Sequence, residues 1–181
     1  ASSEGGGILF TAGNIESCTI ASNSCPASAG GIGYYTWDDY DRRIVNTIIY
    51  HNIGAGTSNN HSFASSTDVD MDHVCTTRIP AGIPAENVIT NDPLFAGEFH
   101  IGSDSPCFNT GLNESWMTDA LDLDGNARII YGQVDIGAYE YALPGDASFD
   151  GLVDDVDASI VGAHWRQSGA GWGDGDFSGD G

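Results

Sequence analysis

The sequence contains no lysine, and its basic side chains are five arginines, Arg42, Arg43, Arg78, Arg128 and Arg166. Against 26 acidic residues they leave a formal charge of −21 over 181 residues. Nucleic-acid binding needs several Lys or Arg contacts to phosphate, and an anionic membrane surface repels such a chain for the same reason. No apolar run approaches the roughly 18 residues that a membrane-spanning helix requires. Neither nucleic acid nor membrane insertion is expected. CxxC and CxxH spacings are missing, which removes the usual zinc signature. HExxH pairs and GxSxG nucleophile elbows are missing too, and His51, His61, His73, His100 and His164 receive no role.

What is present is enough for a core. Apolar residues make up 40% of the chain and charged residues only 17%, so the high net charge does not imply disorder. The length suits one domain with a small appendage. Twenty-five glycines, with plentiful Asn, Ser and Thr, favour turn-rich β structure. Four cysteines, Cys18, Cys25, Cys75 and Cys107, leave two readings open. They form disulfides in an oxidising compartment, or they pack as small apolar thiols; the pairing is not fixed. The chain opens on Ala-Ser-Ser-Glu and closes within a motif, which suggests a fragment or a mature C-terminal piece.

An internal repeat is visible. Residues 15–23 (IESCTIASN) align without gaps on residues 44–52 (IVNTIIYHN), with Ile at the first and sixth positions and Asn at the ninth. Gly6-Gly7-Ile8 and Gly30-Gly31-Ile32 precede the two copies. The Gly-Gly-Ile copies lie 24 residues apart and the strand copies 29 apart, which places an insertion between Ile32 and Ile44. Short β-branched strands at such a period suggest stacked coils sharing one core, with Asn and Gly at bends because they tolerate left-handed backbone.

Further along stand Asn91-Asp92-Pro93-Leu94-Phe95, Gly102-Ser103-Asp104-Ser105-Pro106-Cys107, Asp122-Leu123-Asp124-Gly125-Asn126-Ala127-Arg128 and Val134-Asp135-Ile136-Gly137-Ala138-Tyr139-Glu140-Tyr141. With these segments, residues 1–141 resemble the C-terminal part of the right-handed parallel β-helix repeat proteins of bacterial surfaces, a pectin-lyase-like group. Two departures from its pattern are Phe108-Asn109-Thr110-Gly111 for Ile-Asp-Ala-Gly, and Ala127 for Pro. The resemblance implies a mainly β fold, a right-handed parallel β-helix (solenoid) whose C-terminal coils and cap occupy 1–141, with a small α-helical calcium-loop appendage.

After a linker at 142–145 the composition shifts, with eight acids and one Arg between 141 and 181. Residues 146–157 read as a twelve-residue calcium loop. Ca²⁺ takes 6–8 oxygen ligands, and EF-hand-type loops supply them from alternate positions. Asp146, Ser148 and Asp150 take positions 1, 3 and 5, and Gly151 provides the turn at 6. Leu152 offers its carbonyl at 7, Asp154 acts at 9 directly or through water, and Asp157 closes the loop at 12. Val153 is expected to face inward, and residues 158–165 to form the following helix with Ile160, Val161 and Trp165 on one face. The pattern recurs at Gly175-Asp176-Phe177-Ser178-Gly179-Asp180-Gly181, giving Asp176, Ser178 and Asp180 as further candidate ligands. Paired loop–helix units at this spacing resemble type I dockerin modules, whose partners are cohesins in polysaccharide-degrading assemblies. Positions 10 and 11, often Ser-Thr in that family, are Asp155-Val156 here.

Other constellations are weaker. The insertion carries Tyr34, Tyr35, Trp37, Asp38, Asp39 and Tyr40. Aromatic rings stack on sugars and paired carboxylates serve glycoside cleavage, but adjacent Asp38 and Asp39 diverge in an extended segment. These residues are candidate carbohydrate contacts, with Arg42 or Arg43 as the alternative base in a chain without lysine. Asp68, Asp70 and Asp72 alternate with Val69 and Met71, a strand with one acidic face that needs a cation or Arg78 nearby. Residues 122–126 read as a tight turn. The expectation is a secreted or cell-surface scaffold or carbohydrate-binding segment, non-catalytic here, with a Ca²⁺-binding attachment module and a polysaccharide, cohesin-like or cell-surface partner. The alternative is the C-terminal fragment of an extracellular polysaccharide lyase or glycoside hydrolase whose catalytic coils lie upstream.

Overall fold

The computed structural model describes residues 5–34, 42–56, 59–63, 69–169 and 171–177. Its strands are β1 (Ile8–Phe10), β2 (Gly13–Glu16), β3 (Thr19–Ala21), β4 (Ile32–Tyr34), β5 (Arg42–Tyr50), β6 (His61–Phe63), β7 (Val69–Thr76) and β8 (Ala85–Glu86). One α-helix, α1 (Asp155–His164), and two 3-10 turns (Ser115–Asp119 and Trp172–Asp174) follow. No described helix is long and apolar enough to cross a membrane.

All strand pairs are parallel. One sheet has the order β1-β4-β6; the other has five strands, with β2 and β3 on one side of β5 and β7 then β8 on the other. Ile8 lies beside Ile32, Ile15 beside Ile44, Ile20 beside Ile49 and Ile44 beside Met71. The internal repeat is therefore the pairing register itself.

A column of left-handed residues organises the five-stranded sheet. Glu16 pairs with Val45, Val45 with Asp72, and Asp72 with Glu86. The residue after each of the four has positive φ: Ser17 (49°), Asn46 (47°), His73 (50°) and Asn87 (50°). Ile44 and Ile49 are five apart and would face opposite ways in a straight strand of period two. The bend between them turns both into one cluster with Ile15, Ile20, Val69, Met71 and Val74. Ile48 and Cys75 turn the other way, into a second cluster with Ile101, Cys107 and Ile136. Both faces of β5 are thus covered.

The expected solenoid over residues 1–141 is corrected by this arrangement. The described strands fall into separate three- and five-stranded parallel sheets and end at Glu86. Beyond Glu86 the chain up to Tyr141 forms no strand, only bridges such as Leu121–Ala127 and Ile130–Gln133, turns and one 3-10 turn. The structure is a pair of parallel sheets with one α-helix, rather than a closed β-helix. The physical reason lies in the Asp- and Pro-rich later segments, whose side chains take backbone N–H groups locally and leave few for a ladder. Asp92 accepts from Leu94 N–H, and Asp122 accepts from the N–H groups of Asp124 and Asn126. The tight turn expected at 122–126 forms in this way, with Gly125 at φ 89°.

Asn46 ties this irregular segment to the sheet. It is fully buried, its Nδ2 donates to Leu112 O at 2.9 Å, and its Oδ1 accepts from Leu112 N–H at 2.7 Å. Cys18, Cys75 and Cys107 are free thiols. Cys75 and Cys107 are buried together in the second cluster, and the hydrogen bond between them, reinforced by burial, pushes the Cys75 thiol far up. Asn46→Ala removes two buried hydrogen bonds and the preference for left-handed backbone, so we expect it to lower stability by about 2–4 kcal/mol in urea unfolding; a change below about 1 kcal/mol contradicts the anchoring role.

Candidate metal loop and buried carboxylates

The acidic loop starts where the irregular segment ends. Residues 146–157 contain two left-handed positions, Phe149 (φ 56°) and Gly151 (φ 87°), which fold the chain back on itself. Asp146 is fully buried and Asp157 is 2% exposed. Asp146 Oδ1 accepts from Asp150 N–H and from the Ser148 hydroxyl, each at 3.2 Å. Its Oδ2 accepts from Gly151 N–H at 2.8 Å and from the Tyr131 hydroxyl at 3.0 Å. Asp157 Oδ1 accepts from Ser148 N–H at 3.0 Å, and Oδ2 from Asp154 N–H at 2.7 Å. The two ends of the loop therefore meet at Ser148.

The rest of the loop follows the same logic. Asp150 Oδ1 accepts from Leu152 N–H, and Asp154 Oδ1 from Val156 N–H. Asp154 is the N-cap of α1 and forms a reciprocal capping box with Asp157, an arrangement that also places negative charge at the favourable helix end. The helix consequently starts at Asp155 rather than 158. Trp165 is its C-cap and is 71% exposed, so it does not share a packed face with Ile160 and Val161 as expected. Val153 is 57% exposed, against the expected inward orientation.

The sequence stretch at 142–145 is not a free spacer. Leu143 N–H donates to the Tyr131 hydroxyl at 3.0 Å, while that hydroxyl donates to Asp146. Burial, with Asp146 beside it, pushes the Tyr131 hydroxyl up to about 12. The N–H groups of Asp154 and Ser148 hold the Asp157 carboxyl below its usual range.

Asp146, Ser148, Asp150, Asp154 and Asp157 offer only oxygen, and the described ion pairs all lie elsewhere. This chemistry suits a hard cation such as Ca²⁺. Among the described residues, however, no three Asp, Glu, His or Cys side chains form a ready-made metal group, since each carboxylate engages backbone amides. The Leu152 side chain is 61% exposed, and its candidate contribution is a carbonyl alone. Asp176 follows the second 3-10 turn, and its N–H donates to Gly171 O; Ser178 and Asp180 lie outside the described residues, as do Tyr35, Trp37, Asp38, Asp39 and Tyr40. Tyr34 is placed by its backbone in β4.

On β7, Val69 and Met71 are buried and Asp70 is exposed, as the alternation predicts. The cation near Asp72 is Arg43, at 3.6 Å, rather than Arg78. A second acidic cluster escaped the sequence reading. Arg128 Nη2 lies 3.3 Å from Glu140 Oε1, with both side chains enclosed, and Asp135 N–H donates to Glu140 Oε2. Asp135 accepts from the N–H groups of Asn109 and Tyr141. The usable signal was an Arg and two acids inside otherwise apolar segments. Burial, then Asp135, pushes the Glu140 carboxyl up to about 9, against the pull of Arg128; burial raises Asp135 to about 6.

No protein-family model, curated protein or solved structure matches the chain.

Glu140 binds its proton more tightly folded than unfolded, so its contribution is complete below about pH 4.5 and is lost as pH rises toward 9. Between pH 6.5 and 9 the ordinary carboxylates no longer titrate. Thermal unfolding of the wild type is expected at lower temperature at pH 9 than at pH 6.5, with a smaller difference in Glu140→Gln. An equal pH slope in the two proteins contradicts this assignment.

Proposed function

We propose that residues 146–157 bind Ca²⁺ and that this loop, with α1, serves as an extracellular or cell-surface attachment module of dockerin-like type. One observation carries the reading: Asp146 and Asp157, eleven residues apart, are both buried and converge on Ser148 with no basic partner among the described residues. Buried charges are normally paired or bound to metal, and two like charges sharing one small centre repel each other. A divalent cation resolves that conflict. Asp146, Ser148, Asp150 and Asp157 would hold it through side-chain oxygens, Leu152 through its carbonyl, and Asp154 directly or through water. Binding would exchange several carboxylate–amide hydrogen bonds for metal contacts, and the ion would contribute charge neutralisation rather than chemistry.

The second copy, beginning at Asp176, would extend the same module. The segment before it packs back on the first copy: Gly175 sits so close to Val161 that a Cβ would approach its Cγ2 to 2.5 Å. Trp172 and Phe177 stack edge to face at 5.4 Å. A cohesin-like or cell-surface partner, with a polysaccharide context, is the role to which such a module is suited.

Calorimetric titration with Ca²⁺ is expected to give a dissociation constant of about 0.1–1 mM, the range of extracellular calcium modules, and calcium is expected to increase amide-exchange protection across residues 146–165. Asp157→Ala should abolish most of the heat. A variant that titrates like the parent removes Asp157 from the ligand set.

A further inference from the structure

The sheets have one edge that no described strand covers. β2 and β3 pair only with β5, and β1 pairs only with β4, so no described strand covers their other edge. An edge of this kind presents unpaired N–H and C=O groups to any extended chain. A cavity of about 430 Å³ opens there, lined by Ile8, Ser17, Cys18, Ile20, Asn23 and Leu123. Leu123 is 74% exposed and overhangs it.

Two polar atoms in this cavity lack partners among the described residues. Ser17 Oγ is buried with no hydrogen bond. Asn23 stands at the start of an asparagine ladder with a fixed rule. The N–H and Nδ2 of Asn23 both donate to Asn52 Oδ1 at 3.0 Å. The N–H and Nδ2 of Asn52 donate in the same way to Asn60 Oδ1, at 3.1 and 3.2 Å. Asn23 Nδ2 also reaches Ala21 O, but Asn23 Oδ1 receives no described donor. By the ladder's own geometry, the missing group is the N–H and side-chain amide of one more asparagine.

We propose that this edge accepts an extended polypeptide segment, in parallel register, with two apolar side chains five residues apart and an asparagine three residues beyond them. The apolar pair would continue the rows Ile15–Ile44 and Ile20–Ile49, and the asparagine would supply Asn23 Oδ1. Main-chain hydrogen bonds provide affinity in such strand addition, while the pockets for alternate side chains provide specificity. The chain's charge of −21 selects a neutral or basic partner. The proposal is independent of calcium.

The probe is a synthetic peptide with the sequence of residues 42–54, which carries the pattern and two arginines. It is added to the full chain and followed by amide NMR and calorimetry. Saturable binding is expected, with shifts centred on the amides of residues 17–23. A peptide with Leu at the position of Asn52 should bind about tenfold more weakly, the effect of a lost buried hydrogen-bond pair. Leu123→Glu, at an exposed rim position that leaves the core intact, should weaken binding by a similar factor, with circular dichroism confirming the fold. Absence of binding, equal binding of the two peptides, or self-association of the protein through this edge in sedimentation would each overturn the proposal.

Discussion

A carboxylate that leaves water must be met by donors, and this chain has few basic side chains to offer. Five arginines face 26 acids, and one of the five, Arg128, is spent on an enclosed pair with Glu140. Arg43 serves Asp72 and Glu114, and for the buried aspartates the main chain does the compensating. Asp135, Asp146 and Asp157 are each met by two backbone N–H groups. The acidic segments are therefore locally self-organised, and the same demand explains why strands give way to turns after Glu86. Backbone donors that satisfy a carboxylate are unavailable to a ladder.

The sheets obey a second constraint. In parallel pairing with repeated register, every departure from straight strand geometry must occur in every strand at once. Ser17, Asn46, His73 and Asn87 make the same left-handed step side by side, and each costs of order 1–2 kcal/mol for a residue other than glycine. The step persists because it lets one strand feed two cores. Asn46 offsets its strain with two hydrogen bonds to Leu112, so this left-handed column also helps attach the later half of the protein.

Much of this was legible from residue identity. The alignment of Ile15–Ile44 and Ile20–Ile49 gave the pairing register, because like residues stack in a parallel ladder. The alternation at Val69, Asp70 and Met71 gave the buried face of β7. The loop at 146–157 was legible in its turn at Gly151 and in its end residues, whose spacing brings them together. Three things were not. The repeat suggested stacked coils throughout, yet two matching segments say nothing about how far pairing continues, and Asp and Pro side chains ended it early. The helix start was misplaced because Asp154 and Asp157 cap each other, a reciprocal contact invisible in a period of 3.6. The Arg128–Glu140–Asp135 cluster depends on contacts between distant turns, as does the role of Tyr131 in holding Asp146.

The proposal to be tested is that the carboxylates of Asp146 and Asp157, which both accept hydrogen bonds from Ser148, take a divalent ion between them. Tyr131 lies against that pair, 3.0 Å from Asp146, and can transfer excitation to a bound lanthanide. The direct measurement is terbium luminescence excited through the aromatic side chains, with Ca²⁺ as competitor. The account predicts sensitised emission that saturates, falls on addition of Ca²⁺, and is reduced in Tyr131→Phe. Emission that never rises above free terbium, or that calcium leaves unchanged, would contradict it.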